Sequence, residues 1–427
     1  AEYGRTGSWF TNITIRSGTN EVHGSVFNYF DNDKLNARSF FQQSRNMVRH
    51  NEGGFTLGGP VYLPKVYDGR NKTFFFFGQQ LVYYTNTRSG SLFTVPRNDF
   101  RQGDFSNFVD ASNTVIPIFD PATTRPDGQG GFVRDQFPNN RIPAHRISPV
   151  SQKILALMPE PDLPDLQINN FRNRTGSGTY RNYVSTLKID HSFSDTHKIS
   201  VTYSDQYNPR VIAGQGYGAD NPLEGSQDPK FIHDRTGRIN YDWIVRPNVL
   251  SHFTIGVDRY NNQTQQLTQF QGWNEKLGIK NVLWDQGAFP VIGFSGGTAS
   301  PRGMGGGDFS TNANGRITFT ETVAWTKGRH TIKFGGTYWP EYANAREGFQ
   351  SSGSFSFSNL VTSQPNAPRY TAWGSSFASF LLGELSSAGV REPYARGARY
   401  RSFGVFAQAR SGSEGYGLDL PRSWWDA

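Results

Sequence analysis

Three aromatic residues, Trp273, Trp284 and Phe289, fall in one stretch rich in Gln, Asn and Gly. Rings beside amide side chains stack on sugar faces while the amides bond the hydroxyls. These three are therefore the candidate ligand contacts; the plainer alternative is that they pack their loop onto itself. Other constellations point less far. Asp31-Asn32-Asp33 sets out alternate oxygen ligands of the kind calcium takes, without the later Gly and terminal Glu of an EF-hand. Pro301-Arg302-Gly303-Met304-Gly305-Gly306-Gly307-Asp308 has the glycines of a phosphate cradle but not its Gly-Lys-Ser/Thr ending or a following helix. His191 and His197 flank a turn with no third ligand at zinc spacing. Asp and Glu are dispersed, and no strand end concentrates the paired carboxylates that glycoside hydrolysis needs. The expectation is a non-enzyme with no catalytic residue, no cofactor and no metal site.

The elements that must carry these residues follow a rhythm. Leu187, Ile189 and Phe193 alternate with Lys188, Asp190 and Ser192; after Ser194-Asp195-Thr196-His197, Ile199, Val201 and Tyr203 alternate with Ser200 and Thr202. A polar stretch precedes the next pair, where Ile239, Tyr241 and Trp243 turn through Arg246-Pro247-Asn248 into Phe253, Ile255 and Val257. A third pair runs from Ile317, Phe319, Val323 and Trp325 through Lys327-Gly328-Arg329 to Ile332, Phe334 and Tyr338. Strands with one apolar and one polar face, short turns at one end and long loops at the other, predict a transmembrane β-barrel. Lipid imposes that solution because it tolerates no open sheet edge.

Composition agrees. At 35% hydrophobic residues, the chain of 427 residues has little bulk apolarity for a large buried core. Aromatics at 15% are too many for a disordered chain and suit interfacial girdles. The strongest apolar run, Phe74 to Phe77, is far too short for a transmembrane helix. Cysteine is absent, which excludes disulfides and thiolate ligands. The net charge of +8 is scattered with no basic run, so no nucleic-acid partner is expected.

Along the chain, residues 1–20 read as the tail of a preceding domain. Strands are expected over Val22–Phe30, around Phe55, Leu57 and Val61, and over Thr73–Tyr84. The last is so aromatic that both its faces must meet something apolar. A polar loop is expected over Asp31–Asn51. The longest insertion, 86–180, has one helix signal, Ser148-Pro149 through Met158: Ser148 as cap, Pro149 at the first position and Pro159 as the stop. About ten strands are expected by Gln408, with every short turn on one side. Residues 409–427 lose the alternation and read as an atypical tail, frameshifted or truncated.

Several stretches resemble one family, the TonB-dependent outer-membrane receptors of the Oar-like type, which often carry a carboxypeptidase-regulatory-like domain. Ser17-Gly18-Thr19-Asn20-Glu21 with His23-Gly24 resembles the junction of plug and barrel. Gly58-Gly59-Pro60 with Lys72-Thr73-Phe74-Phe75-Phe76-Phe77 resembles the following hairpin. Gly103-Asp104-Phe105-Ser106, Asn140-Arg141-Ile142-Pro143 and Arg146-Ile147-Ser148-Pro149 resemble pieces of the long loop. Trp325-Thr326-Lys327-Gly328-Arg329-His330-Thr331-Ile332-Lys333-Phe334-Gly335-Gly336 and Phe377-Ala378-Ser379-Phe380-Leu381-Leu382-Gly383 resemble later signatures. Ser8-Trp9-Phe10 departs from the small or aliphatic residues usual at the junction.

The resemblance implies a partial barrel: 1–20 as the end of the plug, and 21–408 as the N-terminal part of an all-β transmembrane antiparallel β-barrel with short periplasmic turns and long extracellular loops. The regulatory-like domain, TonB box, most of the plug and the second half of the barrel are expected outside this chain. The implied place is the bacterial outer membrane, with lipid as one partner. TonB, reached through the parts preceding Ala1, and an unknown extracellular ligand (a glycan, peptide or siderophore) are the others. An adhesion or surface-assembly protein without import is the alternative, and a secreted all-β hydrolase the third reading. An isolated partial barrel leaves free edges, so the 427-residue polypeptide alone is expected to aggregate. A stable, heat-modifiable monomer in detergent would contradict this.

Overall fold

The computed structural model describes residues 14–422 apart from 39, 41–44, 46, 88–90, 174–177, 212–215, 219–220, 226–228, 283–286, 307–308 and 412–417. Its main element is one antiparallel sheet of eleven strands in which every strand pairs with its neighbour in sequence. The strands are β1 (His23–Asn32), β2 (Met47–Pro60), β3 (Thr73–Thr87), β4 (Gly178–Ser194), β5 (His197–Val211), β6 (Pro229–Arg246), β7 (Val249–Gln265), β8 (Phe309–Lys327), β9 (His330–Glu347), β10 (Tyr394–Ser411) and β11 (Leu418–Arg422). Ten strands reach Ser411, as the period-two pattern predicts. The eleventh comes from the tail and pairs with Val405–Ala409. The tail's first residues, Ala409–Ser411, continue β10.

Both faces can be read from the register. Phe75, Ile189, Val201, Ile239, Ile255, Phe319, Tyr338 and Phe403 pair successively across β3 to β10 in an unbroken apolar row. Many of these are exposed, so the row faces out of the protein. One residue along lies the row Phe74, Asp190, Ser200, Asn240, Thr254, Thr320, Thr337 and Gly404, which bonds to itself through Thr254 Oγ1 and Asn240 Oδ1 at 2.9 Å. The apolar face is the lipid face and the polar face the lumenal one.

Two segments of mixed alternation resolve through glycine. In β1, Phe27 turns to the lumenal side and lies over Gly54, where a Cβ would come within 2.7 Å of its ring. In β3, Phe75 and Phe77 face outward while Phe76 sits over Gly58. The loop expected to run to Asn51 ends earlier, because Met47–Asn51 pair with Tyr83–Thr87 and lengthen β2. The polar run Arg49–Glu52 hid that part of the strand.

Turns of two residues join β4 to β5, β6 to β7 and β8 to β9. In the last, Gly328 has φ 58°, a left-handed conformation open to glycine at no steric cost. The β2–β3 connection at this end, residues 61–72, holds a small hairpin of Tyr62–Leu63 with Tyr67–Asp68, and the connections of tens of residues emerge at the opposite end. A charge at the bilayer midplane of a barrel's lipid face costs about 2–4 kcal/mol. Ile239→Lys is therefore expected to destabilise the full-length protein in lipid by about that much, whereas Thr254→Lys on the lumenal face costs less than about 1 kcal/mol. Urea unfolding in bilayers, followed by heat-modifiability on gels, measures both.

Candidate functional site: the loop cap

The buried core is not in the sheet. Among the described residues, the buried apolar side chains other than Phe406 all lie in the long loops, between Val95 and Leu381. Loops 88–177, 212–228, 266–308 and 348–393 share one cluster that includes Phe105, Ile118, Phe171, Leu223, Phe289, Met304 and Phe380.

The cap has local reasons for its shape. Gly103-Asp104-Phe105-Ser106 and Asn140-Arg141-Ile142-Pro143 lock edge to edge. Phe105 N donates to Asn140 O at 3.0 Å, Ile142 N donates to Gly103 O at 2.9 Å, and Arg141 and Asp104 pair at 2.8 Å. Asn140 is buried and completes three backbone groups: its amide nitrogen donates to Phe105 O and Ile116 O, and its oxygen accepts from Ile118 N at 2.7 Å. A buried amide satisfied this way fixes the fold of the loop.

Helix α1 (Asn98–Arg101) opens the insertion. Helix α2 (Pro149–Leu155) begins where Ser148 and Pro149 predict, but the Ser148 side chain caps nothing. The helix also stops short of the expected Met158, tightening into turns in which Leu157 N and Met158 N donate three residues back. Helix α3 (Trp273–Leu277) is a single turn. Helix α4 (Ser376–Leu382) is capped by Ser375, whose Oγ accepts from Phe377 N and Ala378 N, and ends at Gly383 with φ 75°. Ser148 N donates to Leu381 O at 2.7 Å, joining α2 to α4. Two arginines staple the loops through carbonyls. Arg134 donates to Leu360 O, Val361 O and Ser363 O at 3.1, 2.8 and 2.7 Å, while Arg101 reaches Met158 O and Pro159 O. Burial pushes the pKa of both guanidinium groups down, though a guanidinium stays charged.

A cavity of about 270 Å³ opens between three of the loops. Asp110, Thr114, Thr298, Arg369, Thr371 and Trp373 help line it. Arg369 pairs with Asp110 at 3.1 Å, and Trp373 stacks on Phe119 with ring centroids 5.9 Å apart. Backbone N–H groups of Thr114 and Ser112 hold the Asp110 carboxyl below its ordinary pKa, with Arg369 adding to the effect. The wall thus combines an aromatic ring, hydroxyls, a carboxylate acceptor and guanidinium donors, a set that suits a hydroxyl-rich or amide-bearing organic ligand.

The candidates from sequence land in different places. Trp273 is half-buried; its Nε1 donates to Gln271 Oε1 at 3.0 Å and Lys276 Nζ lies 4.7 Å from its ring centre. Phe289 is fully buried and meets Trp273 edge-on at 5.3 Å, so it is part of the loop core. Neither of these two lines the cavity. Trp284 lies outside the described residues. Trp373 and Arg369 carried no sequence signal of their own, because their partners, Phe119 and Asp110, lie more than 250 residues away in the chain. His191 and His197 sit at the turn end, bonded to Thr73 and Tyr241.

At that same end, Ile15–Asn20 lies along the lumenal face. Lys188 Nζ donates to Ser17 Oγ at 2.8 Å and to Ile15 O at 3.3 Å. Gly18 approaches the sheet so closely that a Cβ there would overlap Phe75 O.

A family model described as an outer membrane beta barrel domain matches residues 14–410. The chain belongs to that family. The sheet is accordingly a bacterial outer-membrane β-barrel sheet, its turns periplasmic and its cap extracellular. None of the curated proteins matches the chain. Solved structures of similar fold include the outer membrane transporter YddB from Escherichia coli, at 11% identity and TM-score 0.42, covering 85% of this chain and 32% of that one. The siderophore receptor PiuA from Acinetobacter baumannii shows 9% identity and TM-score 0.36, over 91% of this chain and 43% of that one. The ferric-catecholate import receptor Fiu from E. coli K12 shows 9% identity and TM-score 0.38, over 92% and 48%. The chain spans about a third to a half of the length of these barrels.

Two outcomes are expected of the cap. Phe380→Ala removes a fully buried ring, a loss of about 3–5 kcal/mol; limited proteolysis of the full-length protein should then cut the loops while the barrel strands stay protected. The second outcome concerns pH. Asp120 is held below its ordinary pKa, first by Arg146, which grips it at 2.7 and 2.9 Å, and Asp104 is likewise lowered, first by Ser106. A depressed folded-state pKa stabilises the fold above the unfolded value, near 4, and that contribution is lost as pH falls through the folded value. Cap protection in hydrogen exchange should therefore be constant from neutral pH to about pH 5 and weaken below about pH 4.

Proposed function

We propose that this outer-membrane barrel is part of a TonB-dependent receptor of the Oar-like type that imports a large organic ligand. In this reading the cap is the ligand-binding face. The observation that carries it is the lumenal strap: Ile15–Asn20 runs inside the sheet at the periplasmic end, held by Lys188, along the path a chain leaving a plug must take. A plug inside the barrel, pulled by TonB, is how energy from the inner membrane would reach a membrane that holds no gradient of its own.

Ligand contacts would be made by the cavity residues Trp373, Arg369 and Asp110. Trp273, packed edge-on against Phe289, would contribute from the neighbouring loop, and Trp284 is kept as a candidate contact from the same stretch of sequence. The ring-plus-hydroxyl chemistry favours a glycan or peptide over a purely apolar molecule.

Growth on defined glycans, peptides and ferric chelates tests this in the source bacterium. Deleting the full-length gene and inactivating TonB should abolish growth on the same substrate. Restoring the gene as the double variant Trp373→Ala/Arg369→Ala should lower ligand affinity about tenfold or more, as loss of a central aromatic and a charged anchor does. Unimpaired growth of the deletion strain on every substrate, with loss of surface attachment, would overturn import in favour of adhesion.

A further inference from the structure

The outward face of the sheet carries a charge pattern that neither folding nor import requires. Toward the extracellular end, the lipid-facing positions of β2 to β10 hold Arg49, Arg181, Arg235, Arg259, Arg346, Arg399 and Arg401. Among the described residues, Asp205 is the one carboxylate at these positions. It is shared by His233 and Arg235, at 2.8 and 3.3 Å. The lumenal face of the same strands carries both signs and pairs them: Arg316 lies 3.2 Å from Asp258 and 3.9 Å from Glu341, and Arg396 lies 3.6 Å from Glu347. Arg235 and Arg259 stand directly opposite each other on adjacent strands, an arrangement that destabilises a sheet unless an anion lies between or above them.

Most of the arginines also share a height. Measured from the apolar row, Arg49 lies ten positions loopward of Gly59, and Arg181 eight loopward of Ile189. Arg235 and Arg259 lie four from Ile239 and Ile255, and Arg401 lies two from Phe403. Arg346, eight from Tyr338, stands above this line. The boundary thus descends by roughly one residue per strand. With about 3.3 Å per residue and about 4.8 Å between strands, that slope is about 35°, the angle at which barrel strands lean. A line oblique to the strands by their own tilt is level in the membrane.

The periplasmic turns descend in parallel, so the distance from turn to arginine stays nearly constant. Arg49 is 11 positions from Pro60, Arg181 13 from Ser194, Arg235 11 from Arg246, Arg259 10 from Val249 and Arg401 10 from Ser411. Tyrosines fill the gaps at the same level. Arg181 lies 5.6 Å from the Tyr83 ring centre and Arg399 5.6 Å from that of Tyr342, while Tyr183 stacks on Tyr207 at 6.3 Å.

We propose that this level band of arginines binds the phosphate groups of the anionic glycolipid in the outer leaflet. Guanidinium groups grip phosphate through paired N–H donors, and the tyrosines hold the rings at the headgroup level beside them. Arg235 shares Asp205 and Arg49 reaches Asp33 at 4.0 Å, and the excess positive charge of the band finds its anion at the headgroup level. The inference rests on the outer-membrane placement and is independent of the import reading, so either can fail alone.

Native mass spectrometry of the delipidated full-length protein tests it, with three probes: bisphosphorylated lipid A, the same lipid A stripped of phosphate, and inorganic phosphate. The triple variant Arg181→Gln/Arg235→Gln/Arg259→Gln should retain bisphosphorylated lipid A about tenfold less well or worse, while the lumenal variant Arg238→Gln matches the wild type. Stripped lipid A should bind the wild type no better than intact lipid A binds the triple variant. Equal retention by the triple variant, or by stripped lipid A, would overturn the proposal. Inorganic phosphate that binds as tightly as the lipid would overturn the lipid source. If the triple variant fails to become heat-modifiable, Arg259→Gln and Arg401→Gln singly should each cost about fivefold. No loss in either would be equally decisive against the band.

Discussion

Every backbone N–H and C=O of a strand in hydrocarbon must be bonded to a neighbouring strand, because no water is there to replace the bond. The rest of this molecule follows from that constraint. It explains why each of the eleven strands pairs with its neighbour in sequence, since hairpins extend a ladder without leaving a gap. It also explains why the connections divide so unequally. The ends in the periplasm need only reverse the chain, while the extracellular ends are free to grow.

The same constraint turns the protein inside out. With solvent lipid outside and a polar lumen within, the sheet has no need of a side-chain core, and it has almost none. The apolar residues that a soluble protein would put between layers appear instead on the lipid face and in the loops. There, in water, burial drives folding as usual. Two solvents thus produce two kinds of order in one chain, a hydrogen-bonded ladder and a packed cap. The cap is held by few but specific polar groups: Asn140 inside a loop, Arg134 between loops, and Ser148 joining α2 to α4.

Much of this order is legible in the residues alone. Strand positions, their inward and outward residues and the side of each turn are local properties. Alternation of period two and residues such as Gly328 specify them within a few positions of chain. The helix signal at Ser148-Pro149 is equally local. Where the pattern falls short, the cause is also local: Arg49–Glu52 is polar on both faces, and only pairing with Val82–Thr85 makes it strand. Trp273 and Phe289 show the opposite limit. Their aromatic character is plain in the sequence, but whether a ring faces water or a neighbour depends on what else arrives.

Sequence by itself therefore determined the transmembrane sheet, its two faces and its orientation, because a barrel strand meets only its solvent and its immediate neighbours. Tertiary structure decided the cap, the cavity and the level arginine band. Asp110 and Arg369 meet through loops separated by six strands, and Phe105 meets Phe377 in the same way. The outward arginines are scattered through the chain. They become a band only when strand tilt converts ten, eight, four and two positions into a single height. Proximity of that kind is a property of register and tilt, which no single stretch of chain contains.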